Sequence, residues 1–192
     1  VHSQRFQLFD LGVGQHTYLY AGHRVSREEL IDRAAELIQK YPILFIEDLM
    51  SEDDWDGFIK AHQRLKGVKL IGDDFIVTNQ KRLQKAHECD ALDGFILKPN
   101  QVGTITEALD THAYAQSYGM ITIPSGRSGG AVGDIVADLA LALEAPISKN
   151  GAPKSGERLD KINSLLRASS ENPGSHLRDL TELFHPAYFQ HP

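Results

Sequence analysis

The sequence has a single cysteine, Cys89, and no apolar run that approaches the roughly 20 residues needed to cross a bilayer. One cysteine excludes an internal disulfide and a zinc cluster built from several thiolates. Basic residues are not in excess either, since 20 Lys and Arg stand against 26 Asp and Glu, for a net charge of −6. We therefore expect a cytoplasmic protein that binds a small molecule and neither nucleic acid nor a membrane.

Short apolar segments alternate with amphipathic ones along most of the chain. Six apolar runs bounded by Gly, Pro, Asn or Asp are typical of buried parallel strands: 6–10, 43–48, 68–74, 94–98, 120–125 and 145–149. The segments with helical periodicity are 26–41, 52–67, 78–90, 104–119, 132–144 and 155–169. The first of these helices has Ser26 as its predicted N-cap, with Glu29 three residues later. Alternation of this kind predicts an α/β fold with parallel strands, either an open sheet or a barrel.

Charged residues stand at the carboxyl end of one predicted strand after another. They are Asp10, Glu47, Asp73, Lys98, Arg127 and Lys149. Any one of them alone would most simply be a solvated loop residue or a helix cap, but in a parallel barrel all of these strand ends open onto the face that carries active sites. Converging carboxylates repel each other unless a divalent cation lies between them, and all-oxygen ligation suits Mg²⁺. The cationic residues suit an anionic substrate, and a partly desolvated lysine among other cations has the lowered pKa of a useful base.

Several long motifs carry a family resemblance. They are "YPILFIEDLMSEDDWDGF", "LIGDDFIVTNQKRLQKA", "ILKPNQVGTITEALD", "SGRSGG" followed by "DIVADLALAL", and "ISKNGAPKSGERLDKINSLLR". In these stretches, over about residues 6–167, the chain resembles the C-terminal barrel of the enolase family of phosphopyruvate hydratases. The resemblance implies a partial TIM-like (β/α) barrel of about six parallel strands, the later part of that barrel. It divides the chain into the barrel at 1–170, incomplete at its N-terminus, and a C-terminal helix and tail at 171–192.

The resemblance also implies roles for particular residues. Asp10, Glu47 and Asp73 match three Mg²⁺ ligands, and Asp74 matches a neighbour of the site that is not a ligand. The implied reaction is the Mg²⁺-dependent, reversible dehydration of 2-phosphoglycerate to phosphoenolpyruvate in glycolysis.

Four further positions match residues that act on the substrate. Lys98 matches the base that removes the proton alpha to the carboxylate, and Lys149 matches the lysine that pairs with that carboxylate. Arg127 and Ser128 match residues that hold the phosphate, and Glu47 is also assigned to the substrate site.

The sequence departs from the family pattern in ways that leave alternatives open. Gly126 stands where the family places a histidine near the substrate, residues 130–133 read "GAVG", and Leu49 replaces the usual proline. The resemblance places a small domain, two barrel strands and the glutamates that handle the leaving hydroxide before residue 1, so we expect a fragment of a longer, homodimeric protein. Alternatives are an enolase-related enzyme that acts on a phosphonate or another phosphorylated carboxylate, and a non-catalytic fragment.

Overall fold

The computed structural model describes residues 8–10, for which only the backbone is described, 16–127 and 129–181. The strands are β1 (Leu8–Asp10), β2 (His16–Tyr20), β3 (His23–Ser26), β4 (Phe45–Glu47), β5 (Lys69–Gly72), β6 (Gly94–Leu97) and β7 (Ile121–Pro124). The helices are α1 (Arg27–Lys40), α2 (Trp55–Arg64), α3 (Gln80–Glu88), α4 (Pro99–Val102), α5 (Ile105–Ser117), α6 (Val136–Ala142) and α7 (Gly156–Glu171). Among these helices, none combines the length and apolar character that a membrane crossing requires.

Strands β4 to β7 form a parallel sheet in the order β4-β5-β6-β7. The strands are joined by helices, so the predicted α/β alternation is confirmed for this part of the chain. Parallel pairing in this order brings the carboxyl ends of all these strands to one edge of the sheet.

Both faces of the parallel sheet are apolar because side chains alternate along each strand. Leu70, Phe95 and Leu97 belong to the large core on the helix side of the sheet. Within that core Phe58 of α2 stacks on Phe75, with ring centroids 3.8 Å apart. The opposite face carries a smaller cluster formed by Ile71, Ile96, Ile121 and Ile123.

The first predicted strand, 6–10, was wrongly assigned to the parallel sheet. Its described part, β1, pairs antiparallel with β2, which pairs antiparallel with β3 in a separate sheet. The turn between β2 and β3 is Ala21–Gly22, and both residues have positive φ, 49° and 84°. A two-residue turn of this kind matches the twist of a hairpin, so the chain folds back on itself instead of crossing over.

The last predicted strand, 145–149, contributes only one parallel bridge, between Ser125 and Lys149. The Lys149 amide donates to the Pro124 carbonyl at 2.9 Å, and the Gly126 amide donates to the Lys149 carbonyl at 3.1 Å. Pro146 has no N–H to donate, which limits extension of the ladder toward the start of the segment. Within the described residues the parallel sheet therefore has four strands and stays open, instead of the six that were predicted.

The helices lie within a few residues of their predicted bounds. Ser26 caps α1 and forms the expected capping box with Glu29. The short helix α4 was not predicted, although Pro99 at its start is a common first helical residue. At the other end of the chain, α7 ends at Glu171 and residues 172–181 contain neither helix nor strand, while 182–192 of the predicted tail lie outside the described residues.

A buried polar cluster joins the antiparallel sheet to the start of α2. The Asp54 carboxylate accepts a hydrogen bond from the Tyr18 hydroxyl at 2.5 Å and one from Arg27 Nε at 2.9 Å. It also caps α2 by accepting the Gly57 amide at 2.9 Å. Burial alone would raise the pKa of Asp54, but the hydrogen bonds from Arg27 and Tyr18 outweigh it and hold that pKa below its ordinary value.

Candidate active site

The carboxyl ends of β5, β6 and β7 border a cavity of about 270 Å³. Asp73 and Asp74 follow β5, Lys98 follows β6, and Gly126 and Arg127 follow β7, while Lys149 comes from the segment bridged to β7. The residues predicted from strand ends 25 to 102 positions apart in sequence are thus brought to one rim. This is the edge at which parallel α/β folds build their active sites.

Lys98 and Asp73 form a pair at this rim. The Lys98 ammonium donates to Asp73 Oδ2, and Gln101 Nε2 donates to Oδ1 of the same carboxylate at 3.2 Å. Lys98 is 9% exposed and Asp73 is 7% exposed, so each charge is largely removed from water and needs its partner. The sequence had led us to expect Lys98 among cations, whereas its direct neighbour is a carboxylate.

Thr78 positions this pair through hydrogen bonds to the Lys98 backbone and to the Gln101 side chain. Its hydroxyl accepts the Lys98 amide at 2.9 Å and lies 2.9 Å from Gln101 Oε1, to which it donates. Thr78 is fully buried, and it and Val77 have positive φ, 55° and 49°, a conformation that β-branched residues rarely adopt. Backbone strain of this kind persists only where the surroundings impose it, and it concentrates at functional sites. Neither Thr78 nor Gln101 was predicted from the sequence, because their partners lie 20 to 28 residues away and no local pattern indicates them.

Glu47 and Lys149 form the second charged pair, although 102 residues separate them in sequence. The Lys149 ammonium donates to both Glu47 oxygens, at 2.5 Å to Oε1. The side chains are 25% and 36% exposed, so this pair is more open to solvent than Lys98 and Asp73. The two predicted acids at the ends of β4 and β5 therefore each face one of the two predicted lysines.

The acidic side chains that approach each other most closely differ from the predicted trio. Among the described side chains, oxygens of Asp48, Asp73 and Asp74 lie within 4.8 Å of one another, and Glu47 is not part of this group. Asp48 was missed by the sequence analysis, and its oxygens accept the amides of Asp73 and Asp74, each at 2.8 Å. Burial raises the pKa of Asp48 to about 6. The side chain of Asp10, the remaining predicted ligand, lies outside the described part of the chain.

The loop after β7 carries the predicted phosphate-binding residues. Arg127 is exposed at the cavity rim, and Ser128 lies outside the described residues. Gly126 lies over the buried Lys161, and a Cβ at position 126 would come 2.9 Å from Lys161 Cε. Lys161 is itself held by the Asp134 carboxylate and by the Glu157 carbonyl, at 2.9 Å from the latter. The loop is therefore closely packed against α7.

Comparison with known proteins agrees with this geometry. The family model described as "Enolase, C-terminal TIM barrel domain" matches residues 8–176. The chain belongs to this family. Its open parallel sheet is thus part of an enolase-type barrel, and both the predicted α/β barrel fold and the resemblance are confirmed.

Curated relatives named enolase are similar to the chain over most of its length. An enolase of Methanococcus maripaludis is 44% identical over 155 residues, which are 81% of this chain and 36% of the relative. An enolase of Aeropyrum pernix is 43% identical over 168 residues, covering 84% of this chain and 39% of the relative. An enolase of Thermococcus gammatolerans is 40% identical over 171 residues, which cover 88% of this chain and 39% of the relative. The chain thus spans less than two fifths of the length of these relatives.

Proposed function

We propose that the protein to which this barrel belongs is an enolase-type lyase, which catalyses the reversible dehydration of 2-phosphoglycerate to phosphoenolpyruvate with Mg²⁺. The observation that carries the proposal is that Lys98, Asp73 and Lys149 line one cavity at the strand ends, where Lys98 is paired with Asp73 and Lys149 with Glu47. A small substrate with a carboxylate and a phosphate needs cationic groups to bind it and a base held close to it. We further propose a cytoplasmic homodimer that functions in glycolysis.

The donor set suits Mg²⁺. Glu47 and Asp73 offer carboxylate oxygens from the ends of neighbouring strands, and Asp10 is the third ligand in the proposal. All-oxygen coordination is what this small, hard cation prefers over nitrogen or sulfur ligands. When bound, the ion stabilises negative charge that develops on the substrate carboxylate.

Lys98 is the proposed base. In its neutral amine form, Lys98 accepts at Nζ the proton from C2 of the substrate, and the electron pair of that C–H bond becomes the C2–C3 double bond as hydroxide leaves C3. Thr78 fixes the backbone of Lys98, and Gln101 fixes the carboxylate beside it, so Nζ is held in one position. A base that needs no reorientation lowers the entropic part of the barrier.

Lys149 and Arg127 are the proposed substrate-binding cations. Lys149 pairs with the substrate carboxylate, where its charge opposes the build-up of negative charge during proton removal. Arg127, at the cavity rim, binds the phosphate together with Ser128, because a planar guanidinium can donate two parallel hydrogen bonds to phosphate oxygens. Glu47 lies beside Lys149 and completes this side of the site.

A second candidate function keeps this chemistry but changes the substrate. Gly126 lines the cavity between Ser125 and Arg127 without a side chain, so the phosphate side of the site lacks the histidine that the family places there. This observation favours an enolase-related enzyme that acts on a phosphonate or another phosphorylated carboxylate. A direct comparison of phosphoenolpyruvate with a phosphonate analogue in the same binding experiment decides between the two candidates.

The proposal is tested by exchange and binding measurements. We expect Lys98→Ala to abolish the exchange of the substrate C2 proton with deuterated solvent, while the variant still binds Mg²⁺. The exposed Lys81 on α3 provides a matched control, and Lys81→Ala should exchange at the wild-type rate.

Two results would contradict the proposal. Undiminished exchange in Lys98→Ala would exclude Lys98 as the base. Calorimetry of the wild-type protein that shows no binding of phosphoenolpyruvate in the presence of Mg²⁺ would exclude the proposed substrate, and absence of any carboxylate ligand would favour a non-catalytic role.

A further inference from the structure

We infer that Asp48 is a positioning residue for the proposed metal site, because its carboxylate fixes the turn that carries Asp73. The inference rests on the proposed function, in which Asp73 is a ligand. Nothing in the sequence pattern had assigned a role to Asp48, which directly follows Glu47 at the end of β4.

Asp48 ties the ends of two neighbouring strands together through three hydrogen bonds. Its amide donates to the Ile71 carbonyl at 3.0 Å, which continues the ladder between β4 and β5 by one residue. Its two carboxylate oxygens accept the amides of Asp73 and Asp74, each at 2.8 Å. A single side chain therefore anchors two consecutive peptide groups of the next strand's end.

This anchor determines where the Asp73 side chain points. Asp73 begins a tight turn, because its carbonyl accepts the amides of Ile76 at 3.1 Å and Val77 at 2.7 Å. With the amide of Asp73 held by Asp48 and its carbonyl held by the turn, its backbone has little freedom. Its carboxylate is consequently directed toward Lys98 and Gln101 at the cavity.

Local stability alone does not explain an aspartate at position 48. Its φ is +44°, in the left-handed region where glycine is unstrained and other residues are not. Its carboxylate is partly buried beside the acids Asp73 and Asp74, which disfavours the charged form. Glycine would remove both costs, so the gain from aspartate lies in the two amides that it accepts.

The same two hydrogen bonds indicate that Asp48 orients the site and is not itself a metal ligand. Each of its oxygens already accepts a backbone amide, whereas Asp73 presents its oxygens to side chains at the cavity. Residues that orient a metal ligand without touching the ion typically change metal affinity 10- to 100-fold when they are replaced, to an order of magnitude.

Two variants at position 48 test the inference by calorimetric titration with Mg²⁺ alone. Asp48→Asn keeps the shape of the side chain but turns an NH₂ group toward one of the two amides, and Asp48→Gly removes the side chain and relieves the backbone strain. We expect both variants to bind Mg²⁺ roughly 10- to 100-fold more weakly than the wild type at a temperature where they are fully folded. Asp110→Asn, an exposed acid on α5, should leave the affinity unchanged.

Loss of stability must be separated from loss of positioning. Tyr18→Phe removes the hydrogen bonds that the Tyr18 hydroxyl makes with Asp54 and with the Ser51 amide, and none of these residues lines the cavity, so it should lower the unfolding midpoint and leave Mg²⁺ affinity at the wild-type value. Asp48→Gly should lower the unfolding midpoint only a little, because the relieved strain offsets part of its lost hydrogen bonding, and it should still weaken Mg²⁺ binding. Weaker binding that appears equally in Tyr18→Phe would overturn the inference.

The outcomes for Asp48 and for the proposed function are distinct. Wild-type Mg²⁺ affinity in both position-48 variants, with affinity lost in Asp73→Asn, would overturn the positioning role and leave the proposed function standing. No Mg²⁺ binding by the wild-type protein, or undiminished binding by Asp73→Asn, would overturn the proposed metal site and this inference with it. Weakened binding in Asp48→Asn and Asp48→Gly, with Asp110→Asn unchanged, supports it.

Discussion

Replacing Asp54 by alanine should destabilise the protein more than replacement of any exposed acid. The Asp54 side chain is 1% exposed, and its partner Arg27 is 15% exposed. The substitution removes the acceptor for Arg27 and Tyr18 and also the N-cap of α2. It therefore leaves a nearly buried guanidinium without a counter-charge.

The magnitude follows from that unpaired charge. Removing one partner of a buried ion pair costs about 3–5 kcal/mol, so we expect the free energy of unfolding to fall by about 4 kcal/mol. In a domain of this size each kcal/mol lowers the melting temperature by about 2–4 °C, which predicts a decrease of about 12 °C. Tyr18→Phe loses one hydrogen bond to a charged acceptor and should cost about 2 kcal/mol.

Urea denaturation measures the loss of unfolding free energy in both Asp54→Ala and Tyr18→Phe. Far-UV circular dichroism is the primary probe, because Trp55, the single tryptophan, directly follows Asp54 and its fluorescence would respond to the substitution itself. The double variant should show a coupling energy of about 1.5 kcal/mol between Tyr18 and Asp54, since the two groups share one hydrogen bond. Asp56→Ala, an exposed acid in the same helix, is the matched control.

The pH dependence gives an independent check. The pKa of Asp54 is held below its ordinary value in the folded protein, so its stabilisation is present above the unfolded-state pKa and is lost as the pH falls through the folded-state pKa. The stability gap between the wild type and Asp54→Ala should therefore narrow in acid. A loss below about 1 kcal/mol at neutral pH, the range of exposed ion pairs, would refute the reasoning.

Two further predictions concern the other end of the sheet. A hydrogen bond with Asp93 raises the pKa of His62, so the stability that this pair contributes is complete below the ordinary imidazole pKa of 6.5 and is lost as the pH rises through the folded-state pKa. His62→Gln should therefore flatten that part of the curve of unfolding free energy against pH. An unchanged curve would contradict this prediction. Gly94→Ala should cost about 3 kcal/mol in urea denaturation, because its Cβ would lie 2.3 Å from the Ile121 carbonyl oxygen of the neighbouring strand. Gly174→Ala, where a Cβ meets nothing within 4 Å, should change stability little, and equal losses at the two positions would count against the steric account.

The parts of the fold that follow from local patterns were predictable. Apolar runs with turn residues at their ends predicted β4, β5, β6 and β7, and helical periodicity with capping residues predicted α1 and α5 to within a few residues. The hairpin of β2 and β3 had a weaker signal, since Ala21–Gly22 is not among the dipeptides most typical of hairpin turns. Its sheet was missed because strand pairing depends on which segments meet in space.

Some residues of the candidate site could likewise be predicted from the sequence, and others could not. The charged residues at the strand ends, such as Lys98 and Lys149, could be selected from sequence because the carboxyl ends of parallel strands share one edge. Their partners could not be selected, because the contacts of Thr78 and Asp48 cross about 20 to 26 residues to neighbouring strand ends. Side-chain direction in such contacts depends on backbone conformations, including the positive φ of Thr78 and Asp48, that the residue types at those positions do not predict.

The sequence by itself determined the strands β4 to β7, most of the helices, the residues that stand at the strand ends and the family to which the motifs point. These properties depend on short-range periodicity and on the order of residues along the chain. Only the tertiary structure decided that Lys98 faces Asp73, that Lys149 faces Glu47 and that one carboxylate holds two amides of the next strand's end. Those choices depend on strand register and backbone direction, which are fixed by packing across the whole sheet.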